Sequence, residues 1–207
     1  MGRLAQTVGL IMIRGDLSNR LVHLTRGPSY ADAASTFEQI IGTGKLLGGT
    51  GYIRGAYRCV CFSEAPLNVL AHSLAAAHEG GMRYAPFGVM VSKNWLFQQG
   101  GRPVIYESHE EFDLMHESQR FRHVRYEPHL NTDHTWEREW RIRTNELILD
   151  PSETTFIVPT RDWVNKYHAL HADDMSLANY NMSIPIIEPP PWHFVVLADL
   201  GIEVVGE

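Results

Sequence analysis

The run His134-Thr135-Trp136-Glu137-Arg138-Glu139-Trp140-Arg141-Ile142 constrains this chain more than any other stretch. Two carboxylates lie two residues apart among aromatic and cationic neighbours. Side chains of an extended strand repeat every two residues. Glu137, Glu139 and Arg141 then share one face, and Trp136, Arg138, Trp140 and Ile142 share the other. Two acids set opposite two tryptophans do not make an ordinary core strand. One reading is an edge strand whose Glu and Arg side chains pair in solvent. The other is a carboxylate held beside a reacting centre. The remainder of the chain has to decide between them.

The 207 residues are 44% hydrophobic and 20% charged, as expected for one soluble domain, residues 1–207, with a real core. A formal charge of −6 with histidine neutral argues against a broad basic face for duplex nucleic acid. No run of about 18 apolar residues occurs, so no membrane span is expected. The N-terminus lacks the charged, apolar and small-residue order of a signal peptide. Cys59 and Cys61, the two cysteines, are too close along one strand for an unstrained bridge. They read as small buried hydrophobes in a reducing cytoplasm. His168 and His171 lie three apart with no acid or cysteine cluster beside them, so no metal site is expected.

Strands are expected at 8–13, 21–25, 57–62, 87–91, 102–106, 155–158 and 192–197, and residues 146–149 either continue the sheet or turn away from it. In the second, Leu21, His23 and Thr25 share one face and Val22 and Leu24 the other, which suits a strand lining a cleft. His23 taken alone reads more readily as a satisfied core histidine than as a site residue. A helix follows, capped by Asp32 or by Ser35 with Glu38 three residues on. Phe37, Ile40 and Ile41 form its apolar stripe, and Gly42 and Gly44 end it. Gly48, Gly49 and Gly51 then allow a backbone to approach a ligand closely, although their spacing is neither that of a P-loop nor that of a dinucleotide fingerprint. Ser63-Glu64-Ala65-Pro66 opens a helix with Leu67, Leu70, Leu74 and Ala77 on its apolar side, stopped by Gly80-Gly81. Lys93–Phe97 reads as a short helix, ended by Gly100-Gly101. Residues 110–123 read as a helix running into a loop, with most of the scattered His109, His116, His123, His129 and His134 exposed. Residues 160–170 form the last helix.

The order of these pieces resembles the ADP-ribosyltransferase fold, and within it the DarT-type ADP-ribosyltransferase toxins. The resemblance rests on His23-Leu24-Thr25, on Gly44–Leu47 after the first helix, and on the segments Cys61–Leu70 and Gly88–Glu111. Glu139-Trp140-Arg141-Ile142 stands where the family has its catalytic Glu and a hydrophobic strand. It spans roughly residues 20–145 as an ordered set of short motifs. The segments around Cys59–Pro66 and Glu137–Ile142 are also similar to AbiGi-type abortive phage resistance proteins.

The resemblance implies an α+β fold with an ADP-ribosyltransferase-like split β-sandwich core and flanking helices. It implies transfer of ADP-ribose from NAD to a macromolecule, nucleic acid or protein, with release of nicotinamide, by a toxin or phage-defence effector that a cognate antitoxin restrains. Glu139 is then the catalytic carboxylate, with Glu137 assisting or pairing with Arg141. His23, Leu24, Thr25 and Gly49 belong to the NAD site. Arg54 or Arg58 engages the phosphates or the reacting end, and Tyr57 or Tyr52 stacks on nicotinamide. With water as acceptor the same site is an NAD glycohydrolase. The reading from another class is a non-catalytic, antitoxin-like binding module, in which Glu137 and Glu139 form a structural ion-pair strand with Arg138 and Arg141.

Overall fold

A computed structural model describes residues 18–70, 84–180 and 190–202. The expected strand at 8–13, the helix beyond residue 70 and Gly80-Gly81 lie outside them. The chain is mixed α+β. In order it forms β1 (Arg20–Leu24), α1 (Tyr30–Thr43), β2 (Lys45–Leu47), β3 (Cys59–Ser63), β4 (Gly88–Ser92), α2 (Lys93–Gln98), β5 (Arg102–Pro103), β6 (Ile105–Glu107) and β7 (His123–Arg125). Then follow β8 (Glu139–Arg143), β9 (Glu146–Ile148), β10 (Thr154–Val158), α3 (Arg161–Asn179) and β11 (His193–Val196).

Among the described residues, seven strands make one sheet in the order β11-β10-β4-β1-β3-β8-β5, and β2 with β9 and β6 with β7 make two small ribbons. β1 pairs with β4 along its whole length, from Arg20↔Ser92 to Leu24↔Gly88. β3 pairs with β8 in the same way, from Cys59↔Arg143 to Ser63↔Glu139. Between β1 and β3 the register holds a single pair, Val22↔Ser63. The sheet is therefore two halves, β11-β10-β4-β1 and β3-β8-β5, joined by a seam.

One face of both halves is covered. Leu21, Val60, Phe62, Val89, Val91, Trp140, Ile142 and Phe156 pack against Phe37, Ile40 and Ile41 of α1, with Trp163 and Tyr167 of α3 at the margin. Burying each large apolar side chain is worth roughly 1.5–3 kcal/mol, so this face anchors the fold. The other face carries Cys61, Ser63, Glu139 and Arg141, whose chemistry suits a cleft.

Local signals explain most elements, with some corrections. α1 starts earlier than expected because Ser29, in extended conformation, accepts the Asp32 N–H at 3.2 Å. Ser35 and Glu38 are interior to it. Its end is Gly44, left-handed at φ 64°, with its N–H on the Ile40 carbonyl, and Gly42 stays helical. Lys45–Leu47 is a strand paired to β9. The expected strand at 102–106 is broken into β5 and β6 at Val104, whose N–H donates to the Glu139 carbonyl at 2.9 Å. Residues 110–123 are not an α-helix. They form two 3-10 turns, Glu110–Asp113 and Glu117–Arg122, before β7 pairs parallel to β6. Their apolar residues are too few for a helical stripe, so Phe112 and Phe121 anchor one turn each. The last helix runs on to Asn179.

Candidate functional site

A cleft of about 1100 Å3 opens along the seam. His23, Leu24, Thr25 and Arg26 form one wall, Cys61 and Ser63 the floor, and Glu137, Glu139 and Arg141 the far side. Tyr52 and Arg54 stand at its lip, and His109, His123, Arg125, His134 and Trp136 also line it.

Where β1 leaves β3, the Cys61 carbonyl receives a side chain in place of a ladder partner. His23 Nδ1–H donates to it at 2.8 Å. That bond fixes the tautomer: Nδ1 carries the proton and Nε2 keeps its lone pair. Burial is the main cause of a lowered His23 pKa, and nearby Arg26 adds to it, so the ring is neutral at pH 7. The Phe62 ring meets the imidazole edge to face at 5.8 Å. Thr25 has a different part. Its hydroxyl is buried and donates to the Phe87 carbonyl at 3.1 Å, which makes it a structural link between β1 and the start of β4.

Glu139 opens β8 with its carboxylate held at both oxygens by Arg141, Nε to Oε1 at 2.8 Å and Nη2 to Oε2 at 2.9 Å. Arg141 is only 6% exposed. Its Nη1 donates to the Phe121 and His123 carbonyls at 3.0 and 2.9 Å, tying the β7 wall to β8. Burial works against the guanidinium charge, but the bidentate carboxylate outweighs it and raises the pKa. Beside them Cys61 has its thiol pushed up, first by burial and then by the Glu139 charge. It is therefore a thiol at neutral pH and no nucleophile. Tyr106 accepts the Glu139 N–H and donates to the His134 carbonyl, both at 3.3 Å.

The expected strand from Trp136 to Ile142 is half right. Residues Thr135–Glu137 form a 3-10 turn, and Arg138 is left-handed at φ 45°. Glu137 and Glu139 do not share a strand face, nor do Trp136 and Trp140. The kink nonetheless returns both carboxylates to the cleft. Trp136 lies half exposed at the mouth. Trp140 is buried and donates its indole N–H to Glu64 at 3.0 Å, and Glu64 also pairs with Lys93.

Arg54 reaches the cleft but is engaged: it donates to the His109 carbonyl, pairs with Asp113 at 3.0 Å, and lies over the Phe112 ring at 4.1 Å. Arg58, Tyr57 and Gly49 are not part of the cleft wall. Arg58 is exposed, Tyr57 lies under Arg143 at 4.8 Å, and Gly49 bridges to Cys59. The glycine that geometry demands is Gly48, where a Cβ would fall 2.0 Å from the Thr144 carbonyl oxygen. Of the histidines read as exposed, His109, His123 and His134 line the cleft, and His123 is buried, its Nε2–H donating to the Ser108 carbonyl at 3.0 Å. Arg26 and Tyr84, joined at 3.0 Å, also line it, and only the position of Arg26 directly after β1 gave any sign of this in the sequence. Among the described residues no group of three or more His, Cys, Asp or Glu could hold a metal ion, and no helix is long and apolar enough to cross a membrane.

Compared with known protein families, curated proteins and solved structures, the chain finds no match in any of the three.

Proposed function

We propose that the protein is an NAD-dependent ADP-ribosyltransferase of the split-sheet kind, acting on a macromolecule as a toxin or phage-defence effector. One observation carries this reading: His23 and Glu139, from the two halves of the sheet, line one cleft along their seam. Its volume, about 1100 Å3, exceeds the range of pockets that take drug-sized ligands and suits a dinucleotide. The polar groups fit a ribose. His23 Nε2 accepts one hydroxyl. An ionised carboxylate has about four lone-pair sites, and Arg141 occupies one on each oxygen, so Glu139 can accept another hydroxyl.

Cleavage of a bond between ribose and nicotinamide builds positive charge on the sugar, as glycoside cleavage does. Glu139, fixed by Arg141, is then a preorganised negative charge beside that centre. Glu137, on the preceding turn, is the carboxylate placed to take a proton from the incoming nucleophile. Tyr52 and Trp136 offer stacking faces at the mouth.

A second reading is favoured by the bonds around Arg141. Four of its N–H groups are engaged, so the Glu139–Arg141 pair also serves as a brace between β8 and β7, as a non-catalytic binding module would use it. The decisive measurement is incubation of the protein with NAD labelled in the adenosine half, alone and with cell extract. Nicotinamide release with label on a macromolecule, abolished in a folded Glu139→Gln variant, is the expected result. Release with free ADP-ribose alone identifies a glycohydrolase. No release from the wild type rejects the enzyme and leaves the binding module.

A further inference from the structure

Among the described residues four arginines line the cleft, and their partners differ in kind. Arg141 is buried against Glu139 and two carbonyls. Arg26 is held by the Tyr84 phenol at 3.0 Å. Arg125 pairs with Glu127, whose side chain is only 11% exposed and whose other oxygen accepts the His109 N–H at 3.1 Å. Arg54 alone is paired with an exposed carboxylate, Asp113, whose side chain is 69% accessible.

We infer that Asp113 is a built-in competitor, holding Arg54 at the cleft lip until the diphosphate of an anionic ligand displaces it. The inference rests on the reading of the cleft as a nucleotide site and adds its control. Three features make the exchange possible. The pair is a surface pair, of the weak kind that solvent screens. Arg54 lies over Phe112 at 4.1 Å, a contact that stays when the carboxylate leaves and keeps the guanidinium aimed. The Asp113 backbone is fixed independently, its carbonyl accepting Arg120 Nη2 at 2.9 Å, so the carboxylate can swing away on its own torsions without moving the turn. Arg54 gives Asp113 a single N–H, from Nη2 to Oδ2 at 3.0 Å, and a diphosphate oxygen can take that donor with more charge behind it.

The sign of the effect makes the test decisive, because a gain of affinity does not come from a damaged fold. Binding of inorganic pyrophosphate and of ADP is measured by calorimetry at near-physiological salt for the wild type and for Asp113→Asn, Glu110→Gln and Arg54→Gln variants and the Arg54→Gln/Asp113→Asn double variant. Asp113→Asn is expected to bind about two- to fivefold more tightly, the range that release of an exposed ion pair allows. Glu110→Gln removes the same charge from the same turn and is expected to leave affinity unchanged. Arg54→Gln is expected to weaken binding, with no recovery in the double variant. Tighter binding of ADP than of pyrophosphate by the wild type assigns the ligand as a nucleotide, and equal affinities assign the diphosphate alone. Unchanged or weaker binding by Asp113→Asn, or a gain that survives without Arg54, overturns the inference. These are binding measurements, so absence of nicotinamide release would reject the transferase reading without touching them.

Discussion

Breaking the Glu139–Arg141 pair from one side should be costly, and breaking it from both sides less so than from the arginine side alone. Arg141 is 8% and Glu139 14% exposed at the side chain. Removing one member of a buried pair costs about 3–5 kcal/mol, because the other charge is stranded. Glutamine keeps the volume and one acceptor oxygen, and the cleft gives partial access to water, so Glu139→Gln belongs at the low end, about 3 kcal/mol. Arg141→Met strands the carboxylate and also leaves the Phe121 and His123 carbonyls without their donor. With about 1 kcal/mol for each carbonyl, its cost rises to about 5 kcal/mol. The double variant strands no charge and retains only the carbonyl penalty, about 2 kcal/mol, so it should be more stable than Arg141→Met by about 3 kcal/mol. Thermal unfolding reads this directly. At 2–4 °C per kcal/mol for a chain of this size, Glu139→Gln lowers Tm by about 6–12 °C. A double variant whose loss equals the sum of the two single losses would refute the pairing argument. The same cycle supplies the folded control that any activity test of Glu139 needs.

The neutral, buried His23 links stability to pH. Its unfolded counterpart protonates near 6.5 while burial keeps the folded ring neutral, so the unfolded state binds more protons and stability falls as pH drops below that value. The wild type should lose up to about 1.4 kcal/mol per pH unit in that window relative to His23→Asn, which retains an N–H for the Cys61 carbonyl; parallel Tm curves from pH 7 to 5 would count against it. Gly48→Ala places a methyl 2.0 Å from the Thr144 carbonyl oxygen and should cost roughly 1–3 kcal/mol by forcing the end of β2 away from the Thr144-Asn145 link between β8 and β9. An unfolding midpoint within experimental error of wild type would contradict that geometry.

The strands of the main sheet were legible because bulky alternation survives in them: Leu21 with Val91, Val60 with Ile142 and Phe62 with Trp140 share the covered face, as a two-residue period requires. The same period misassigned Glu137. One left-handed residue, Arg138, rotates the chain by a step that no residue type announces, since arginine has no preference for that conformation. Position 29 capped α1 rather than position 32 or 35 because several Ser and Asp residues compete and only the fold selects. Residues 107–134 carried the least signal. Their histidines looked solvent-facing by composition, yet the carbonyls of Phe121 and His123 draw that segment onto Arg141. Arg54 was recognisable as a cleft residue, while Asp113, which engages it, lies 59 positions away along the chain and could be found only in three dimensions.

The single ladder pair between Val22 and Ser63 makes the line of the cleft the line of least cohesion in the sheet. Each half has its own hydrogen-bonded strands, but across their junction the ladder contributes one residue pair and the His23–Cys61 bond supplements it. A molecule lodged there touches both halves and acts as mortar between them. At a hundredfold excess over its Kd it would add about 2.7 kcal/mol to the folded state. Resistance to unfolding would for that reason report on occupancy of the cleft by any ligand that bridges the two halves.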